Sequence, residues 1–252
     1  MTDFQKKQAI EQLNQKENDL IKEFKSHPLF QKLPLMTWEK FLEILIQRRF
    51  LSLSIVPSYE LVIDSLEQEE IKKVVRQILY EEYPSTSKGV PLLSHRELLF
   101  QDLLNLGATR EKILTTPETD VTKRIRESGL KIFSQNFGNE SFQVGLIAAI
   151  RFWGEVMVAE EYRCLWKKIS EKLSALHNEP NKQKSEFYYF HMVHDNKGSD
   201  IGSERFCGGV THSQILAKKM AELINSENDL KYCMDIQSTI YKLKYKFYEQ
   251  FL

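Results

Sequence analysis

The chain has 252 residues, 42% of them hydrophobic, with 35 Lys and Arg balanced by 35 Asp and Glu. A neutral chain with interspersed charge lacks the basic face of a nucleic-acid binder, and this apolar content supports a packed core, not disorder. Ten Gly and seven Pro disfavour an all-β chain, and three Cys without disulfide-framework or zinc-site spacing fit a reducing compartment.

Residues 3–25 predict a polar helix with a thin apolar stripe of Ile10, Leu13, Leu20, Ile21 and Phe24. Pro28 and Pro34 break the pattern over 26–34. Thr37 then caps a helix holding Trp38, Phe41, Leu42, Leu45 and Ile46, which Pro57 interrupts or kinks. A further helix runs from about Leu61 or Glu67 to Tyr83, and residues 84–93 read as a loop. Ser94 with Glu97 forms a capping box that opens a helix ending at Gly107. Residues 109–136 predict one short helix and one longer amphipathic one.

The most apolar helix is expected over 140–174, where Phe142 to Met157 is apolar nearly all round and so buried on all sides. Another apolar helix covers 184–195. The loop 196–210 holds four of the ten glycines, and backbone of that kind predicts a segment that is mobile until metal or substrate orders it. Thr211 with Gln214 is a second capping box, and a last amphipathic helix spans 227–252. Eight or nine helices, no convincing strand and no linker make one all-α domain over 1–252. The polar N-terminus lacks a signal peptide, and the longest clean apolar run, Val144 to Ile150, is far short of the roughly 18 residues that span a membrane. The expected location is the cytoplasm.

Three features carry chemistry. First, Arg151 and Glu155 interrupt the apolar helix one turn apart. They either pair with one another, or Glu155 binds a metal. Second, in YYFHMVHD, His191 and Asp195 lie four apart on one helical face, with His194 as a rival to His191. Third, Glu81 and Glu82 close an apolar stripe of Ile71, Val75 and Ile78, against the helix dipole, with Glu82 on the inward side; either a cation relieves that or the helix end is simply solvated. His95 and His212 each open a helix, whereas His27 reads as structural and His177 as solvated. Three carboxylates and three imidazoles in an all-α domain are the composition of a dinuclear iron or manganese carboxylate site. Without a thiolate pair it is neither a zinc nor an iron–sulfur composition.

The order LYEEYP, SHRELLFQDLLNLGAT, an apolar helix with a mid-helix Glu, then FHMVHD resembles the haem-oxygenase-like diiron oxidase and oxygenase superfamily over roughly residues 26–225. The thiaminase-type and pyrroloquinoline-quinone synthase proteins share that fold, and the nearest likeness is to the branch named for a protein associating with death domains. The resemblance implies a haem-oxygenase-like bundle with Glu82, His95, Glu155, His191 and Asp195 as ligands to two ferrous ions, or Mn in their place, and dioxygen as co-substrate. The family's next ligand, a His three residues beyond the Asp, is replaced here by Gly198. His212 or Asp200 is the candidate to fill that place; otherwise the second ion is held poorly or lost.

The implied reaction is desaturation, cleavage or rearrangement of a small carboxylate-bearing substrate such as an amino or fatty acid. Tyr80, Phe152, Trp153 and Phe187 are expected at the pocket, with Arg151 pairing with a substrate carboxylate or simply with Glu155. Family members are often dimers, which leaves a homodimer open. A metal-poor helical interaction protein is the competing reading. A thiaminase-type enzyme would need Cys164 or Cys207 as nucleophile, and haem oxygenase itself would need a His in the first helix, where there is none.

Overall fold

The first helix starts at a capping box. The Thr2 hydroxyl accepts from the Gln5 amide, the Gln5 side chain accepts from the Thr2 amide, and α1 (Asp3–Lys25) runs from there. The computed structural model describes residues 1–87, 90–134, 139–177, 185–195, 197–198, 200–201 and 211–252. α1 buries Leu13, Leu20, Ile21 and Phe24, with Asn14 and Glu17 buried among them. A five-residue helix, α2 (Pro28–Lys32), and a 3-10 turn lead into α3 (Trp38–Leu53) and α4 (Ile55–Ser65). A continuous helix there would drive the Pro57 ring against the Leu53 carbonyl. The break at Ser54 instead leaves Pro57 in a first turn, where its missing N–H costs nothing.

α5 (Glu69–Glu81) buries Ile71, Val75 and Ile78. The stretch expected as a loop contains a small antiparallel hairpin, β1 (Ser85–Ser87) with β2 (Val90–Leu92), pairing Ser85 with Leu92 and Thr86 with Pro91. Three residues a side is too short for the alternation that marks a strand in sequence. α6 (His95–Asn105) begins at the Ser94–Glu97 capping box and is followed by Gly107 at φ +91°. α7 (Arg110–Thr115) and α8 (Asp120–Ser134) come next.

The central rod is continuous through three parts: α9 (Phe142–Ile150), a π-helical turn (Arg151–Val156) and α10 (Met157–His177). Phe142–Leu176 is long and apolar enough to cross a membrane, but 89% of its apolar window is buried by the rest of the fold. α12 (His212–Leu223) and α13 (Glu227–Glu249) cover its first half together with α4 and α8, and α11 (Tyr188–His194) lies along its second. That sheath is why the first half of the rod is apolar on every side, whereas α10 carries exposed charges such as Arg163 and Lys167. Among the described residues there are thirteen α-helical spans, more than the eight or nine expected, because Ser54, the short helices and the π turn divide longer stretches. The expected ordering of the glycine-rich segment 196–210 falls mostly outside the described residues.

Candidate metal centre

Five segments bring their polar ends to one place. α5 ends on Glu81 with Glu82 as its cap, α6 opens with His95, the π turn carries Glu155, α11 carries His191 and His194 with Asp195 as its cap, and α12 opens with His212. The capping boxes at Ser94 and Thr211 fix His95 and His212 at the first helical position. The hairpin returns the chain so that His95 Nδ1 lies 3.1 Å from Glu82 Oε1. His191 Nδ1 donates to the Phe187 carbonyl at 2.7 Å, which fixes the tautomer and leaves Nε2 free, 4.0 Å from Asp195 Oδ2.

Asp102, unnoticed in the sequence, sets where α11 starts. Its carboxylate accepts from the Ser185 hydroxyl and from the Phe187 amide at 3.0 Å. It lies seven residues after His95 on α6, about two turns and so on the same face, which is the spacing that would have exposed it. One helix thus supplies a candidate ligand and positions the segment bearing the next.

The convergence has an internal order. Glu82, His95 and His191 form one group, and Glu155, Asp195 and His212 another, each with ligand atoms within 4.8 Å of one another. Glu81, His194 and His212 make a third such group. Glu155, His191, Asp195 and His212 are all buried. Burial first, then the charges of Glu155, Glu82 and Glu81, push the Asp195 carboxyl well above the usual carboxylate range. Burial, then the neighbouring His95 ring, push His191 well below the usual imidazole range. Burial alone would lower His212 too, but hydrogen bonds to Glu155 and Glu81 prevail and raise it to about 10. With all four ionised, Glu81, Glu82, Glu155 and Asp195 would carry −4, which two divalent ions would balance. Oxygen and imidazole donors without thiolate fit Fe(II) or Mn(II).

Gly198 explains why His212 stands here. Its backbone is left-handed at φ +65°, and a Cβ would meet Gln214 Nε2 at 2.6 Å. A side chain at 198 would be strained by that backbone and would have to displace the end of Gln214, while the first turn of α12 presents His212 to the site. Asp200 is not drawn in: its carboxylate is 60% exposed and pairs with Lys197 at 2.7 Å.

Tyr59 of α4, also missed in the sequence, donates its hydroxyl to Glu155 Oε1 at 2.6 Å. Gly154 makes that approach possible, since a Cβ there would lie 2.7 Å from the Tyr59 hydroxyl. The π turn adds a residue to the helix and so rotates α10 by roughly 100° relative to an unbroken α-helix. Gly154→Ala is expected to lower stability by about 1–3 kcal/mol despite the better helix propensity of Ala, because overpacking outweighs it. Denaturant unfolding beside Tyr59→Phe checks this; an Ala variant as stable as the parent would mean that Tyr59 can withdraw freely.

The groups open onto a cavity of about 430 Å³. Phe187 lines it, as expected, but the other four expected pocket residues do not. Tyr80 is 62% exposed, because it sits two residues from both Ile78 and Glu82 on the opposite side of α5. Phe152 and Trp153 face the core, fully buried and off the cavity wall. Arg151 pairs neither with Glu155 nor with the cavity. It reaches Glu17 of α1 with both terminal nitrogens, Nη2 at 3.0 Å, and its Nε donates to the Ser213 carbonyl at 3.0 Å. Two guanidiniums lie on the wall: that of Arg96, which is exposed, and the buried one of Arg48, held by Glu161 through Nε at 2.9 Å and bonded through Nη1 to Ser52 Oγ at 3.0 Å. Cys164 is off the wall, and burial pushes its thiol up to about 12, the reverse of an activated nucleophile; Cys207 lies outside the described residues.

Neither a protein-family model nor a curated protein matches the sequence. Solved structures do match in shape. A CadD-like protein of unknown function from Nostoc punctiforme superposes with a TM-score of 0.68 at 13% identity, over 98% of this chain and 97% of that one. A domain of unknown function with a haem oxygenase-like fold from Shewanella denitrificans gives 0.67 at 12% identity, over 95% and 90%. A TenA homologue from Pyrococcus furiosus gives 0.60 at 10% identity, over 97% and 100%. Such likeness speaks to fold alone: the chain has the all-α, haem-oxygenase-like fold.

Proposed function

We propose that this chain is a non-haem diiron oxidase or oxygenase that uses dioxygen to desaturate, cleave or rearrange a small carboxylate-bearing molecule such as an amino or fatty acid. The observation that carries this reading is the pair of ligand groups, Glu82–His95–His191 and Glu155–Asp195–His212, on the wall of one cavity. Bound there, two ferrous ions, or manganese in their place, would supply electrons for dioxygen reduction and a template for the substrate. The protein's own part is to orient and enclose. Tyr59 holds Glu155, the Phe187 carbonyl holds His191, and Ile78, Leu99, Val158 and Phe187 give an apolar wall that excludes water. Arg48 supports a carboxylate-bearing substrate, since two of its five N–H groups remain after its bonds to Glu161 and Ser52. The proposal extends to one domain over 1–252 acting in the cytoplasm on a small molecule, with no nucleic acid or membrane partner.

Anaerobic ferrous titration tests it, with two ions per chain and an absorption change on exposure to oxygen as the expected result. No iron with the fold intact would transfer the reading to a helical interaction protein. The pH dependence should separate the two positions. In the metal-free protein His212 keeps its proton up to about pH 10, so an ion must displace it. Apparent affinity at that position should rise by about tenfold per pH unit below that point, and more steeply where Asp195, also raised, must give up its proton as well. At the Glu82–His95–His191 position the dependence should be shallower, because His191 is already neutral at low pH.

A further inference from the structure

His212 belongs to two ligand groups at once, and its two ring nitrogens face different carboxylates. Nδ1 lies 3.7 Å from Glu155 Oε2, and Nε2 lies 3.2 Å from Glu81 Oε1. The groups also differ in depth. The Glu155 and Asp195 side chains are 4% and 7% exposed, whereas those of Glu81 and His194 are each 33% exposed. His194 is fixed in position: its ring stacks on Phe190 with centroids 4.7 Å apart and meets the His212 ring edge-on at 4.9 Å. The atoms of Glu81, His194 and His212 lie within 4.8 Å of one another. Two imidazoles and a carboxylate suit a first-row divalent transition ion.

We propose that Glu81, His194 and His212 form an outer station for the second divalent ion, which passes from there to the inner station of Glu155, Asp195 and His212. The inference rests on the dinuclear reading above. A neutral imidazole carries its proton on one nitrogen and binds through the other. His212 therefore serves one station at a time: through Nε2 with Nδ1–H donating to Glu155, or through Nδ1 with Nε2–H donating to Glu81. The inner donors are the more deeply buried, and the outer station, with two donors one-third exposed, is where an ion from solvent first finds three donors. The alternation leaves the final count at two ions and places the difference in the loading rate and in what survives when the inner station is disabled. Were Glu81 only an orienting partner for His212, His194 would have no part in metal binding.

The test is Co(II) titration of the full chain, read by d–d absorption and by metal content after gel filtration, with stopped-flow loading. Wild type is expected to take two ions. Asp195→Asn should still take two, the second about 10–100-fold more weakly, and should lose it when combined with His194→Ala. His194→Ala alone should take two at equilibrium but load the second at least about tenfold more slowly, and Glu81→Gln should do the same. Asp195→Asn holding a single ion, or His194→Ala and Glu81→Gln loading at the wild-type rate, overturns the outer station. A wild type taking fewer than two ions overturns the dinuclear reading, and the outer station with it.

Discussion

Asp195→Asn is expected to make the metal-free protein more stable and the metal-loaded protein less so. Asp195 is 5% exposed, and its contacts among the described residues are two imidazoles, His194 Nδ1 at 3.2 Å and His191 Nε2 at 4.0 Å. Burial and then the fields of Glu155, Glu82 and Glu81 hold its carboxyl well above the usual range. A carboxyl raised in the folded state favours the fold while it keeps its proton. That contribution is complete below the pKa of the unfolded chain and is lost as pH rises through the raised folded value. Asn has the same shape and no charge to lose. The variant should therefore gain about 1–3 kcal/mol at neutral pH without metal, and its stability should vary less with pH.

Divalent ions reverse the order. An ion bound only by the folded state adds about 2.7 kcal/mol at a hundredfold excess over Kd and about 4 at a thousandfold. Wild type should collect that gain at both positions, the Asn variant in full at only one. Denaturant unfolding of both proteins from pH 5 to 8, with and without Mn(II), should give curves that cross on adding metal. A metal-free Asn variant less stable than wild type would refute the idea that uncompensated negative charge is what this cluster carries.

What the sequence revealed and what it hid divides by sequence distance. Helices were legible because their periods and caps are local: Thr37, Ser94 and Thr211 all cap where expected. Glu82, His95, His191 and Asp195 were legible because each sits at a helix end or one turn from another. His212 was visible as a helix-opening His, but only the structure shows the left-handed backbone at Gly198 beside the first turn of α12 and the exposed Asp200 turned to Lys197 instead.

The hidden parts are long-range pairs that no spacing records. Tyr59 and Glu155 are 96 residues apart, and Arg48 and Glu161 are 113 apart. Local reasoning paired Arg151 with its neighbour Glu155 because an α-helix sets residues four apart on one face. The π turn changes that phase, and a buried carboxylate 134 residues away takes the guanidinium instead. Glu17 itself carried a faint signal, as a charged residue between Leu13 and Leu20 on the buried stripe of α1.

Arg151→Met should therefore be among the most damaging single changes in the chain, at about 3–5 kcal/mol, the range for stripping one partner from a buried ion pair. Arg151 and Glu17 are both fully buried. Without the guanidinium, Glu17 keeps, among the described residues, Gln237 Nε2 at 2.9 Å and Lys197 Nζ at 3.5 Å. Pairing the change with Glu17→Met removes the stranded charge and should recover most of the loss, since a matched apolar pair in a dry core is often neutral or better. Unfolding of the two single variants and the double measures the coupling directly. An arginine that served a substrate would behave otherwise: its loss would raise KM and leave stability nearly unchanged. The damage should also reach the metal centre. Arg151 holds the Ser213 carbonyl beside His212, Lys197 lies two residues from Asp195, and Asn14 grips the backbone of Ile201 at 2.7 and 3.0 Å. A first helix with no candidate ligand of its own thus holds Lys197 and Ile201, close in sequence to Asp195. Arg151→Met should weaken the second ion more than the first, because Glu82, His95 and His191 are held from the other side by Asp102 and the hairpin.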